Sequence, residues 1–119
     1  PFNSNELLVI IGITGEMVGK TIINLDRMSC VKIASQMMGG VEVIFDELAK
    51  SAVGELFNMA MGTAAIYLEN EGMNINITTP TIIEGENLTI SQKEKIISVP
   101  VSIKKINLTV SISAEVMAA

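Results

Sequence analysis

The sequence contains no histidine and a single cysteine, Cys30. Imidazole bases, His-bearing metal centres and Ser-His-Asp arrangements are therefore excluded at the outset. Carboxylates, amides, hydroxyls and lysines remain, and within the stretch 46–70 they fall into a pattern. At about 100° per residue, Ser51, Glu55, Asn58, Gly62 and Glu69 share one stripe of a helix roughly 60° wide. A carboxylate there can pair with a cation, and an amide can accept through one arm while donating through the other. The stripe is bordered by Gly54, Met59, Met61 and Ala65, where a plain solvated face would carry lysines and glutamates. Gly54 and Gly62 each cost about 1 kcal/mol of helix stability relative to alanine, which asks for a packing or a docking reason. Beside a polar stripe, docking is the natural one. Two readings stand at this level: the wet side of an ordinary amphipathic helix, or a docking face that carries Glu55 and Asn58.

The elements that must hold this helix are legible in the periodicity. Leu7-Leu8-Val9-Ile10-Ile11 is apolar on both alternating faces, as in a strand buried on both sides, and Gly12 and Gly15 then permit a turn. The chain returns over about Glu16 to Leu25, which completes a hairpin. Asp26 is a good N-cap for a short helix with Met28, Val31, Ala34 and Met38 at helical spacing, stopped by Gly39-Gly40. Asp46 caps a second, longer helix that runs to about Asn70 and is closed by Gly72. The side of this helix opposite the stripe collects Ala49, Val53, Leu56, Phe57, Ala60, Ala64 and Tyr67, which are expected to face the sheet.

Beyond it, Met73, Ile75 and Ile77 alternate with Asn74, Asn76 and Thr78 until Pro80 interrupts, giving a short strand with one wet face. Ile83 to Ile90 reads as loop or weak strand. Two alternating runs, Ile97 to Ile103 and Ile106 to Ile112, form a last hairpin that turns at Lys104-Lys105. Pro100 cannot donate to a ladder, so its strand belongs at an edge or carries a bulge. The expected fold class is α+β, with the helices packed on one side of a largely antiparallel sheet.

At 119 residues with a net charge of -5, the chain is the size of one domain and lacks the clustered cations that bind phosphate backbones, so nucleic acid is not expected as a partner. No apolar stretch reaches the length of a membrane span, and Pro1-Phe2-Asn3-Ser4 has neither region of a signal peptide, which points to a cytoplasmic protein. One cysteine in a helical pattern fits a reducing compartment and a buried, inert thiol. Asn-x-Thr sequences at Asn76, Asn87 and Asn107 are discounted, since nothing supports a secretory route.

The residues themselves go further than their spacing. Ser51-Ala52-Val53-Gly54-Glu55-Leu56-Phe57-Asn58 has the form Asp or Ser, three residues, Glu, two residues, Asn; a proline, Pro80, follows after the next strand. With Met59 and the Gly62-Thr63-Ala64 segment, then Ile77-Thr78-Thr79-Pro80 and Gly85, the chain resembles the CheC/CheX/FliY family of bacterial chemotaxis phosphatases over nearly its whole length. The motif occurs once, as in the CheX members, whereas CheC and FliY carry two copies. CheX-like proteins begin with an additional helix before the first strand, and none is visible in this sequence.

The resemblance implies a single CheX-like domain over 1–119 that removes phosphate from the aspartyl phosphate of a phosphorylated CheY-like response regulator. In the roles it implies, Asn58 orients the attacking water, and Glu55 pairs with the regulator's active-site lysine. Ser51, Gly54, Met59, Met61 and Gly62 are the neighbouring partner-binding candidates. No cofactor of the chain's own is expected, because Mg²⁺ is held by the regulator. The resemblance also implies a homodimer. The alternative is a non-catalytic module that binds a response regulator or serves dimerisation.

Overall fold

A computed structural model describes residues 6–85 and 96–117. The Asn87-Leu88-Thr89 sequence and the second half of the 83–90 segment lie outside these residues, as does the start of the chain. Among the described residues the order is β1 (Glu6–Gly15), β2 (Met17–Asp26), α1 (Arg27–Met37), α2 (Glu47–Asn70), β3 (Ile75–Ile77), β4 (Thr81–Gly85), β5 (Ile97–Ile103) and β6 (Ile106–Val116). The strands form one antiparallel sheet in the order β3-β1-β2-β6-β5, with β4 also paired to β1. The α+β class and the placement of the helices on one face follow the expectation from sequence.

That face is built by alternation. Leu7, Val9 and Ile11 of β1 and Ile23 and Leu25 of β2 point to one side and form a single buried cluster with Cys30, Ile33 and Ala34 of α1 and Ala49 and Val53 of α2. The intervening Leu8 and Ile22 are buried on the other side, as the doubly apolar run required. Each fully buried aliphatic side chain contributes about 1.5–3 kcal/mol. This cluster is therefore what seats both helices.

Both helix starts are capped as their sequences dictate. The Asp26 carboxylate accepts from the backbone N–H of Ser29 at 2.7 Å, and the Asp46 carboxylate from that of Ala49 at 2.9 Å. The buried side of α1 is Ser29, Cys30, Ile33 and Ala34, while Met28 is 61% exposed. Met28 is thus turned away from the core, contrary to the periodicity. On the buried side instead, the Ser29 hydroxyl accepts from the backbone N–H of Asn107 and ties the first turn of α1 to β6.

A larger correction concerns α2. Ala49 and Val53 are buried as expected and Leu56 and Phe57 are half-buried, but Ala60, Ala64 and Tyr67 on the same line are exposed. At 24 residues α2 is more than twice the length of the 11-residue α1. From that side of α2 the buried cluster takes only Ala49 and Val53, in the first half of the helix. In the second half of the helix the packed side is instead the one bearing Met61 and Gly62, which lies against β3.

Pro100 lies in β5, at the edge of the sheet, as a residue without an N–H requires. Ile103 pairs with Ile106 across a two-residue turn in which Lys104 and Lys105 both have positive φ, 49° and 68°. This is the turn geometry that matches strand twist and favours Asn-Gly. Among the described residues no helix is long and apolar enough to cross a membrane.

Two outcomes test this architecture. Left-handed backbone is unfavourable for lysine, so Lys105→Gly should raise stability by about 1 kcal/mol, read from the urea midpoint; an unchanged or lower midpoint would refute the turn assignment. Burial pushes the Cys30 thiol from its ordinary 9.0 up to about 11, against the opposing pull of the Lys50 charge. The unfolded chain then loses the proton first, so stability should fall as pH rises from 9.0 to about 11. In Cys30→Ala that part of the decline should vanish.

Candidate functional site

β1 offers one outer edge to two strands. Ile13 faces Ile77 of β3, while Ile10 faces Thr81 of β4. Ile11 and Gly12 on β1 therefore stand opposite three residues, Thr78, Thr79 and Pro80. This is a bulge, and it lifts the segment out of the ladder at the point where α2 passes over it. Pro80, which has no N–H to place, suits a position outside the pairing.

The bulge is fastened at Thr78. Its N–H donates to the Gly12 carbonyl at 3.0 Å, its Oγ1 accepts from the Gly12 N–H at 2.8 Å, and the same hydroxyl donates to the Thr79 carbonyl at 2.9 Å. A Cβ on Gly12 would lie 3.0 Å from the Thr78 methyl, so the close approach favours glycine there. From above, the Asn58 Nδ2 donates to the Thr78 carbonyl at 3.0 Å. Asn58 is half-buried by this contact, and Glu55, one turn earlier, is exposed on the same side of α2.

The helix is held over the bulge by packing at its first half. Gly54 is buried, and a Cβ there would meet Ile82 at 2.6 Å and Pro80 at 3.8 Å. Lys50, one turn before Gly54, is itself nearly buried and forms ion pairs with Glu47 at 2.6 Å and with Glu84 of β4 at 2.5 Å. Hydrogen bonds to Glu47 and then Glu84 raise the Lys50 pKa above its ordinary value. Lys50 also lies 5.2 Å from the centre of the Phe45 ring.

The expected site residues therefore divide. Ser51, Glu55 and Met59 are open on the outer side of α2, with Met59 60% exposed. Asn58 and Gly62 sit at the margin, where the helix meets the bulge and Ile77. Gly54 and Met61 are on the packed side instead, Gly54 against Ile82 and Met61 against the core. The glycine at 54 thus has a packing reason rather than the docking reason expected from its neighbours. Sequence reasoning gave Thr78 and Lys50 no role in the site and read Gly12 as a turn residue, whereas Gly12 lies within β1 opposite Lys20 and the chain turns after Gly15. The Glu47–Lys50 spacing is a helical ion-pair signal, but nothing in an alternating strand marks Thr78 as the residue under Asn58.

Among the described residues, Glu55 lies exposed on the outer face of α2, with Asn58 half-buried beside it. A cleft of about 430 Å³ exists elsewhere, between β2 and β6 at Gly19, Lys20 and Ser113. A carboxylate and an anchored amide on a convex surface can reach into a recess of another macromolecule, and are poorly placed to enclose a small molecule.

Known proteins give this geometry a context. The family model described as chemotaxis phosphatase CheX matches residues 7–104. The CheY-P phosphatase CheX of Thermotoga maritima is 41% identical over 100 residues, which is 83% of this chain and 64% of that protein. The chain thus spans less than two thirds of that relative's length. Among solved structures, the chemotaxis protein CheX from Vibrio vulnificus superposes with a TM-score of 0.82 at 26% identity, covering 97% of this chain and 78% of that one. The CheX-CheY-BeF3-Mg²⁺ complex from Borrelia burgdorferi gives a TM-score of 0.79 at 28% identity, covering 91% and 75%. By sequence match and by fold, the chain belongs to the chemotaxis phosphatase CheX family.

Proposed function

We propose that this chain, as one CheX-like domain, dephosphorylates the aspartyl phosphate of a CheY-like response regulator. The observation that carries the reading is the pairing of an exposed Glu55 with an anchored Asn58 on one open face of α2. Support comes from the similarity to a protein named CheY-P phosphatase CheX and to a CheX solved together with CheY.

The reading assigns this chain no metal of its own. The chain has no histidine, and among the described residues no three Cys, Asp or Glu side chains converge. Mg²⁺ in this reading belongs to the regulator, where it neutralises phosphoryl oxygens. The task left to this chain is to place a water in line with the phosphorus. Water oxygen bonds to phosphorus as the bond to the aspartyl oxygen breaks, which restores the regulator's carboxylate and releases phosphate carrying both protons of the water. One arm of the Asn58 amide accepts from the water and the other donates towards a phosphoryl oxygen, which holds the nucleophile in line without a general base. Glu55 pairs with the regulator's active-site lysine and sets the register of α2 against it. Ser51 and Met59 border the contact.

Cytoplasmic placement and a homodimer belong to the same reading. Apolar side chains left open along β5 and β6, among them Ile97 at 70% and Val99 at 51% exposure, are consistent with self-association.

Two measurements test the assignment. Asn58→Ala should lower the rate of regulator dephosphorylation by about 10²-fold, with an unchanged circular dichroism spectrum. If the wild-type chain leaves the regulator's own phosphate decay unaltered, the catalytic reading falls and a binding module remains. Glu55→Gln should act mainly on association, raising KM for the phosphorylated regulator by about 10-fold with a smaller effect on kcat. A Glu55→Gln enzyme with wild-type KM would remove Glu55 from the docking contact.

A further inference from the structure

We infer that Thr78 is a positioning residue for Asn58: it clamps the bulge so that its carbonyl holds the Asn58 amide nitrogen inward and leaves Oδ1 outward. The inference rests on the reading of Asn58 just given, and its starting point is the chemistry of the two arms. A carbonyl oxygen has lone pairs and no hydrogen, so it can receive Nδ2 and repels Oδ1. The 3.0 Å contact therefore selects one of the two amide orientations. The planar amide then directs its acceptor arm to the other side, and the second Nδ2 hydrogen remains available for a phosphoryl oxygen. A freely rotating asparagine would present either arm to the water.

The carbonyl can select only if it is itself held in place. It belongs to the three-residue side of a bulge, where regular pairing to β1 is interrupted between Ile13↔Ile77 and Ile10↔Thr81. One backbone bond to β1 remains there, from the Thr78 N–H to the Gly12 carbonyl, and the Thr78 side chain supplies the other ties. Its hydroxyl accepts from the Gly12 N–H and donates to the Thr79 carbonyl, so one oxygen ties the bulge both to β1 and to itself. Serine preserves that pair of bonds, whereas valine keeps the shape and loses both. Thr78 is exposed, so valine brings no buried polar atom and little cost in global stability.

The test is a double-mutant cycle in the full chain, read with phosphorylated regulator in steady-state kinetics and by NMR of the free protein. Thr78→Val should lower kcat by about 10-fold with KM unchanged, and Thr78→Ser should keep wild-type kcat within about 2-fold. In an Asn58→Ala background Thr78→Val should have no further effect, because it acts through the amide. A Thr78→Val enzyme with wild-type kcat, or the same loss in both backgrounds, would overturn the inference. In the free protein, the two Asn58 side-chain amide protons should be well separated in shift in the wild type and Thr78→Ser and draw together in Thr78→Val. Identical spectra in all three would also overturn it. A wild-type chain with the separated amide signals but no phosphatase activity would sink the proposed function while leaving the clamp in place.

Discussion

Everything at the α2 surface depends on how the outer edge of β1 is shared. β3 and β4 pair with it in registers that differ by one residue, and the mismatch is absorbed at Thr78, Thr79 and Pro80. A continuous strand would direct its backbone carbonyls alternately to its two edges in the plane of the sheet, leaving none aimed at the helix above. The bulge frees the Thr78 carbonyl, while the N–H and the hydroxyl of the same residue both keep the tie to Gly12. Local loss of pairing and the orientation of the Asn58 amide thus have one cause.

The helix has to be held at a matching height and rotation. Three contacts set this in its first half: Ala49 and Val53 in the core cluster, Gly54 on Ile82 and Pro80, and Lys50 bridging to Glu84 on β4. They rotate α2 so that the polar stripe lies at the edge of the packed face, with Glu55 outside and Asn58 against the bulge. A stripe directly opposite the sheet would have left both side chains in water, with no carbonyl to sort the arms of the amide. The nearly buried Lys50 is tolerated because two carboxylates meet it, which also raises its pKa.

The interactions at the site itself are few and individually modest, each hydrogen bond contributing about 1 kcal/mol net. Their value lies in pre-organisation. A planar amide with one arm engaged has lost most of its rotational freedom before any partner arrives, so less entropy remains to be spent in the proposed role of holding a water in line. Glu55 is under no such restraint in the structure, which suits a residue whose proposed partner is a flexible lysine.

Much of the architecture was legible in the residues alone, because it rests on local rules. The doubly apolar Leu7–Ile11 run, the Asp26 and Asp46 caps, the Lys104-Lys105 turn and the edge strand at Pro100 each follow from periodicity, capping chemistry or a missing N–H. The motif Ser51, Glu55, Asn58 could be picked out too, since its spacing lies within one helix, and the chemistry proposed for it comes from its resemblance to a phosphatase family. What only the tertiary structure decided is which way that helix is turned. Ala60, Ala64 and Tyr67 have the periodicity of a core face, yet they are exposed, because the buried cluster takes from α2 only Ala49 and Val53 of its first half. Gly54 and Met61 have the setting of a docking border, yet they pack inward. The contact that orients Asn58 joins residues twenty positions apart through a backbone carbonyl, and a carbonyl is the same in every residue type. Sequence can specify the amide, but only the fold can place an acceptor beneath it.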